Sequence, residues 1–310
     1  MTDTSNFTAR ITASHGRIYF VTDKEGHTFE AGRKGKKGDA VVGDIVTCSI
    51  PVGGKVSILS INPRRNTLFR SDARRVKILA ANVDIVAILF AERPTFNPWF
   101  VWKALVAAKK AGIRPVVLQT KSELSTPESA SALFARKLES IGETVLSISA
   151  KTAPEATREK LAAVFNGKTV VLVGQSGMGK STLINTLVPE ARARTREFSL
   201  ALDIGKQTTT ETRLYPVTIA DTSFEIIDSP GFQEFGLAHV TPDDLLHAMP
   251  DIARYVSGCR YYNCTHTHEP GCSVLKAVQE GRIDPARHAF YAALVKEISQ
   301  TPYDSRDNAF

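Results

Sequence analysis

The order of apolar and polar positions divides the chain into two regimes. Between residues 8 and 62 apolar side chains recur at every second position. The stretches RITASHGRIYFVTD, GHTFEAGRK, GDAVVGDIVTCSI and GKVSILSI alternate in this way between glycine-containing turns, which is the pattern of short strands with one buried face. Several such strands within about sixty residues predict a small closed barrel such as an OB-fold. Cys48 stands in one of these runs and is expected to be a small buried side chain.

From about residue 80 the period lengthens. DIVAILFA (Asp84–Ala91), RPVVLQT (Arg114–Thr120), TVLSIS and TVVLVG read as buried strands. Between them, PWFVWKALVAAKKAG (Pro98–Gly112), TPESASALFARKLESIG and APEATREKLAAVFNG read as helices, the second starting at a Thr-Pro cap. Alternating strands and helices predict an α/β domain with a mostly parallel, doubly wound sheet, whose ligands lie beyond the carboxyl ends of the strands. Two further helices, TPDDLLHAMPDIARYV and DPARHAFYAALVKEIS, come last, the second with Asp284 as cap and Pro285 in its first turn. Three domains are expected: a barrel over 1–68, the α/β domain over 69–240 and a helical domain over 241–310.

Composition narrows the class. The chain of 310 residues is 43% hydrophobic and 23% charged, as globular proteins are. No run approaches the ~20 apolar residues of a membrane span, and MTDTSNFTAR has no apolar signal core. A cytoplasmic protein with no membrane partner is expected, as a monomer. The net charge of +7 is concentrated early, where residues 1–75 carry 13 Lys and Arg against 7 Asp and Glu. Arg33, Lys34, Lys36 and Lys37 form the densest group; Arg64, Arg65, Arg74, Arg75 and Lys77 extend it. A basic patch on a small barrel suits a polyanion, with RNA the expected partner.

The strongest chemical signal is GQSGMGKST, which follows the strand TVVLVG. It contains G-x-x-x-x-G-K-S, the phosphate-binding loop. Gly174, Gly177 and Gly179 allow backbone conformations that let successive N–H groups of Gln175, Ser176, Met178 and their neighbours point at phosphate oxygens. The helix that follows adds its positive end. Lys180 is expected to reach the β- and γ-phosphates, Ser181 to ligate Mg²⁺, and Thr182 to complete the loop's contacts.

Three weaker strings complete a nucleotide site. FEIIDSPG ends a strand in Asp228-x-x-Gly231, where the carboxylate can hold Mg²⁺ through water and the glycine N–H can sense the γ-phosphate. GKQTTTETRLYPV offers Thr208, Thr209 and Thr210 for the Mg²⁺ shell, with Thr209 the first choice. Upstream, Thr120, Lys121, Ser122 and Glu123 follow one strand, and Ser149, Ala150 and Lys151 follow the next. The Glu123 carboxylate can accept from both N–H donors on guanine's edge, and an adenine there would leave a charge unpaired. Lys121 can cover the base plane with its stem. GTPases usually run phosphate loop, Thr switch, D-x-x-G, N-K-x-D, S-A-K; here the last two come first. A circular permutation keeps the contacts while moving the termini. An ATPase on the same scaffold is the other reading of these residues.

The segment CRYYNCTHTHEPGC supplies Cys259, Cys264, His266 and Cys272, three thiolates and an imidazole suited to a closed structural Zn²⁺, with His268 as rival ligand. A cytosolic setting disfavours a disulfide.

With these motifs in this order, the chain resembles the circularly permuted, small-ribosomal-subunit-dependent GTPases of bacteria, the RsgA type, over nearly its whole length. The resemblance implies GTP hydrolysis stimulated by the small ribosomal subunit, contact with its rRNA, and a role in its late maturation. The C-x4-C-x-H-x5-C spacing also fits that family. Two positions depart from it. Thr120 and Glu123 stand where the family has the Asn and Asp of N-K-x-D, and Gln207 stands where it has a His before the Thr run. Glu123 keeps the charge with one more methylene, and Gln207 can still orient water. Phe232 follows D-S-P-G, with Gln233 next, so slow intrinsic turnover is expected, raised when a partner orders Gln207. The alternative is a nucleotide-gated rRNA-binding factor with negligible hydrolysis.

Overall fold

The computed structural model describes residues 6–16, 18–33, 40–71, 76–189, 212–229, 237 and 239–300. The early alternation forms five strands: β1 (Phe7–His15), β2 (Ile18–Asp23), β3 (Thr28–Arg33), β4 (Ile45–Cys48) and β5 (Lys55–Ile61). Along β1 the inward positions are Ala9, Ile11 and Ala13. Pairing runs β1-β2-β3-β5-β4 and returns from β4 to β1, so the sheet closes into a barrel. Only β3 and β5 pair in parallel. The interior holds Ile11, Val21, Val46 and Cys48, all fully buried. Burial pushes the Cys48 thiol up to about 11, so it stays protonated.

Gly43 packs the barrel against Ala81. It sits at φ 95°, donates its N–H to Ile11 O at 2.9 Å, and would place a Cβ 2.0 Å from Ala81 O. Any side chain there breaks the contact. Ala81 ends a two-stranded ribbon of β6 (Thr67–Ser71) and β7 (Val76–Ala81) that the sequence pattern does not predict. The ribbon runs between barrel and α/β domain and straddles residue 68.

The α/β domain contributes β8 (Ile85–Ala91), β9 (Arg114–Thr120), β10 (Val145–Ser147), β11 (Thr169–Gly174), β12 (Thr212–Ile219) and β13 (Thr222–Asp228). Its order is β10-β9-β8-β11-β13-β12, parallel except for β12 at the edge. Every residue of β8 and β11 is buried, which requires cover on both faces of the sheet. Helices α1 (Pro98–Lys110), α2 (Ala130–Ser140), α3 (Pro154–Phe165) and α4 (Lys180–Leu187) provide it. The second helix departs from its predicted start. Ser129 caps it through Ala132 N, and Thr126 and Pro127 belong to the preceding turn. The end of β1 pairs with the edge strand β12, so one continuous sheet joins barrel and α/β domain.

The last segment folds as α5 (Pro242–Ala248), α6 (Pro250–Ala253), α7 (Ser273–Gln279) and α8 (Pro285–Gln300). Asp284 caps α8 through Ala286 N at 2.8 Å, as its sequence predicts. These helices dock on α1. Trp102 stacks on Phe290 at 5.1 Å, and the buried pair Arg287–Asp251 lies beside Trp102. Lys110–Asp244 and Lys103–Glu297 add ion pairs across the same seam.

Candidate functional site

The parallel topology carries the strand ends of β9, β10, β11 and β13 to one side of the molecule. The glycine loop leaves β11 there. Gly177 and Gly179 take φ of 79° and 89°, the left-handed backbone that the loop requires. Gly177 also faces Pro94, which an added Cβ would approach to 2.9 Å. Asn97 N donates to Gln175 Oε1 at 3.1 Å, so the segment after β8 lines one wall of the loop. Met178 is buried, while Ser176, Ser181 and Thr182 are exposed at the mouth. Thr182 O accepts from Thr186 Oγ1 within α4.

Lys180 donates to Gly174 O at 2.5 Å and lies 3.5 Å from Gln175 O. Its ammonium is therefore folded over the loop, where an incoming phosphate can draw it off those carbonyls. Burial lowers its pKa, and the Asp228 charge partly offsets this. Asp228 ends β13 and pairs in register with Leu172 of β11. Burial raises its carboxyl to about 6, against the opposing pull of Lys180. A cation in the site would favour its ionised form.

The two upstream strings meet this loop. Thr120 Oγ1 donates toward Met178 O at 2.7 Å and lies 3.1 Å from Phe90 O. A Cβ on Gly179 would lie 3.5 Å from Thr120 Oγ1 and 3.9 Å from Lys121 Cε. Lys121 takes φ 52° and its ammonium reaches Arg93 O at 2.9 Å. Ser122 N donates to Ile148 O, and Glu123 accepts from Ser149 Oγ at 2.5 Å. Thr152 backs that hydroxyl at 2.6 Å. Ala150 O accepts from Thr186 of α4, and Lys151 is exposed beside it. Thr120 to Glu123, Ser149 to Lys151 and the glycine loop thus share one end of the sheet. Gln207, Thr208, Thr209, Thr210, Gly231, Phe232 and Gln233 lie outside the described residues.

Sequence reasoning overlooked the support beneath this turn. Gln119 is 4% exposed, and its amide donates to Ser125 Oγ and Ser131 Oγ, each at 3.1 Å. Its carbonyl oxygen accepts from Ser147 Oγ at 2.7 Å. The network fixes both ends of the T-K-S-E turn. The available signal was a lone amide at the end of the apolar run RPVVLQ. Thr152, directly after S-A-K, was a second.

Two arginines of the basic patch carry ion pairs. Arg64 grips the fully buried Asp44 with two bonds of 2.7 and 2.9 Å, and Arg65 pairs with Asp84 at 2.6 Å. They brace the barrel and its junction with the α/β domain rather than standing as unpaired charge. The sequence shows their charge but not partners 20 and 19 residues away. Arg33 is exposed; Lys34, Lys36, Lys37, Arg74 and Arg75 lie outside the described residues.

Cys259, Cys264, His266 and Cys272 bring one ligand atom each within 4.8 Å of one another. A tetrahedral ion bonded at about 2.3 Å to sulfur and about 2.0 Å to nitrogen needs edges of about 3.8 Å between sulfurs and about 3.5 Å between sulfur and nitrogen. Cys259 and Cys272 Sγ lie 3.9 Å apart, and both lie 3.4 to 3.7 Å from His266 Nδ1. The cluster fits Zn²⁺. His268 is exposed and bonded to Thr267, outside the cluster. Burial, with the neighbouring thiols, pushes the Cys264 thiol up to about 12. Glu269 accepts from the N–H groups of Thr265, Thr267 and His268 and so shapes the turn. His288 and Tyr291 of α8 hold it through His266 O and Thr265 O.

A glycine loop with its lysine, a strand-end carboxylate behind it, and a second pair of polar turns against it define a P-loop nucleotide-binding protein with its segments in permuted order. The RsgA GTPase family matches residues 61–238. The chain is 43% identical over 293 residues to the small ribosomal subunit biogenesis GTPase RsgA of Paraburkholderia xenovorans, covering 94% of this chain and 93% of that one. It is 44% identical over 294 residues to the protein of that name from Bordetella pertussis, covering 94% and 97%. It superposes on the crystal structure of YjeQ from Thermotoga maritima with a TM-score of 0.70 and 25% identity, over 96% of this chain and 99% of that one. With YloQ, described as a circularly permuted GTPase, the TM-score is 0.67 at 24% identity, over 95% and 96%. The chain belongs to the RsgA GTPase family, with a circularly permuted GTPase fold and an N-terminal barrel.

Proposed function

We propose that this chain binds and hydrolyses GTP, and that it acts on the small ribosomal subunit during late maturation, the subunit raising its turnover. The observation that carries this reading is the hydroxyl of Thr120 lying 2.7 Å from Met178 O. It joins the purine side of the site to the phosphate side although the two are far apart in sequence. The names of relatives that match along nearly their whole length support the ribosomal part.

In this reading Gly174, Gln175, Ser176, Gly177, Met178 and Gly179 wrap the phosphates with backbone N–H groups. Lys180 leaves the loop carbonyls and neutralises the β- and γ-oxygens. Glu123, oriented by Ser149, accepts from the guanine edge, and Lys121 covers the ring. Ser181 and Thr209 would hold Mg²⁺, with Asp228 behind it, and the ion would supply positive charge against the phosphates. Gly231 senses the γ-phosphate, and Gln207 positions water when the subunit is bound. Cys259, Cys264, His266 and Cys272 hold one structural Zn²⁺ in the helical module. Residues 1–68, 69–240 and 241–310 serve as rRNA-binding barrel, GTPase domain and zinc-binding module of a cytoplasmic monomer.

The test is GTP turnover with and without purified small subunits, in wild type, Lys180→Ala and Glu123→Ala. Stimulation by the subunit is expected, with the lysine variant losing on the order of 10²-fold or more, as for other charge-stabilising donors. Free protein already turning over at the stimulated rate would sink the reading. Subunit binding that depends on GTP without turnover would favour the nucleotide-gated RNA-binding alternative, which the departures at Thr120, Glu123 and Gln207 keep alive.

A further inference from the structure

Gln119 stands in β9 directly before Thr120 and is almost completely buried. A buried amide must have both donors and its acceptor met, and here three serines from three segments meet them. The N–H groups reach Ser125 Oγ and Ser131 Oγ, and the oxygen accepts from Ser147 Oγ. Ser125 closes the turn that carries Glu123, its own N–H bonded to Ser122 O at 3.1 Å. Ser131 lies in the first turn of α2, where Glu92 Oε2 holds its N–H at 2.9 Å and its hydroxyl meets Ser125 Oγ at 2.7 Å. Ser147 ends β10, two residues before Ser149, whose hydroxyl donates to Glu123 Oε2 at 2.5 Å. One amide therefore fixes the turn that bears the Glu123 carboxylate and also the strand end that bears the hydroxyl aiming it.

Stability alone does not need these bonds, because apolar side chains of the same shape would pack about as favourably. What a fully satisfied polar network adds is one fixed arrangement. Glu123 depends on that more than the shorter aspartate of N-K-x-D would. Its extra methylene adds a rotatable bond, whose freedom must be removed before the carboxylate can meet two donors on one base edge. We infer that Gln119 is a positioning residue for base selection. Through Ser125 and Ser147 it holds Glu123 against the guanine edge, and so sets the preference for guanine over a purine that lacks the 2-amino group. This deepens the proposed function and rests on Glu123 as its base acceptor. Hypoxanthine keeps the N1–H and O6 of guanine and lacks only that amino group. A well-aimed carboxylate loses one charged hydrogen bond on it, about 10- to 100-fold in affinity. A carboxylate free to swing meets one donor on either base, and the difference shrinks.

Competition of GDP and of IDP against a fluorescent GDP analogue on full-length protein reads the ratio of the two affinities. Wild type should prefer GDP by about 10- to 100-fold. Gln119→Leu should narrow that ratio on the order of tenfold, chiefly by weakening GDP. Ser147→Ala cuts one arm of the network at an exposed strand end and should narrow the ratio in the same direction. Ser147→Thr keeps the hydroxyl and should hold the wild-type ratio. If Gln119→Leu does not fold, Ser147→Ala decides the matter. Equal weakening of GDP and IDP in these variants, or no change in either nucleotide, overturns the inference, since the network would then only brace the sheet end. Glu123→Ala separates the two levels. A ratio lost in Glu123→Ala but kept in Gln119→Leu and Ser147→Ala removes Gln119 alone. A ratio kept in Glu123→Ala removes Glu123 as the base reader, and the role of Gln119 with it.

Discussion

Thr120→Val gives the sharpest test of how the permuted site is joined. Valine matches threonine in shape, so the substitution removes a hydroxyl and little else. Thr120 is 5% exposed, and its hydroxyl is within reach of two carbonyls, Met178 O at 2.7 Å and Phe90 O at 3.1 Å. One proton serves one strong bond, and the shorter distance assigns it to the glycine loop. Removing the donor leaves a buried carbonyl without this partner, worth about 1–3 kcal/mol. If that energy orders the loop for phosphate, affinity falls by the same amount, about 5- to 150-fold, since each 1.4 kcal/mol is tenfold. Titration of a fluorescent GDP analogue reads the affinity; urea unfolding reads the stability. Thr120→Ser keeps the donor and should bind close to wild type. Should Thr120→Val lose stability yet bind GDP as wild type does, the hydroxyl braces the fold only. If both quantities stay unchanged, the reasoning fails.

Three other outcomes are expected. Asp228 is held at about 6 in the folded chain against 3.8 in a free chain, so folding favours its protonated form. The associated stability is present below pH 4 and is lost as pH rises to 6; Asp228→Asn should therefore raise urea stability at pH 8 by up to about 3 kcal/mol and much less at pH 4, one pKa step being about 1.4 kcal/mol, while impairing GTP turnover. In the knuckle, His266→Ala should lose zinc on measurement of metal content and His268→Ala should retain it, since only His266 reaches the cysteine cluster. Arg287→Met should cost about 3–5 kcal/mol on urea unfolding because it strands the buried Asp251 carboxylate, and Asp251→Leu added to it should restore much of the loss.

The period-two pattern predicted the barrel strands and the continuous apolar runs the parallel strands, because burial on one face or on both imposes them directly. The phosphate loop was legible for a related reason: its glycines and lysine are contiguous, and local backbone chemistry specifies the loop. The ribbon β6–β7 was not, since its short strands leave little alternation to count. Helix α2 begins after its predicted start because Ser129, not Thr126, has a backbone N–H of the first turn within reach. The ion pairs of Arg64 and Arg65 were not legible because Asp44 and Asp84 are distant in sequence.

By itself, the sequence determined that the chain holds a barrel, a parallel sheet with a glycine loop, and a three-cysteine, one-histidine cluster, because each follows from the spacing of neighbouring residues. Only the tertiary structure decided that Thr120 and Met178, 58 positions apart, touch at one sheet end, and that Ser149 holds Glu123. It also decided that His266, not His268, joins the thiols. Those outcomes depend on which strand lies beside which and on how a turn aims its side chains, and contacts between distant segments leave no periodic trace in the order of residues.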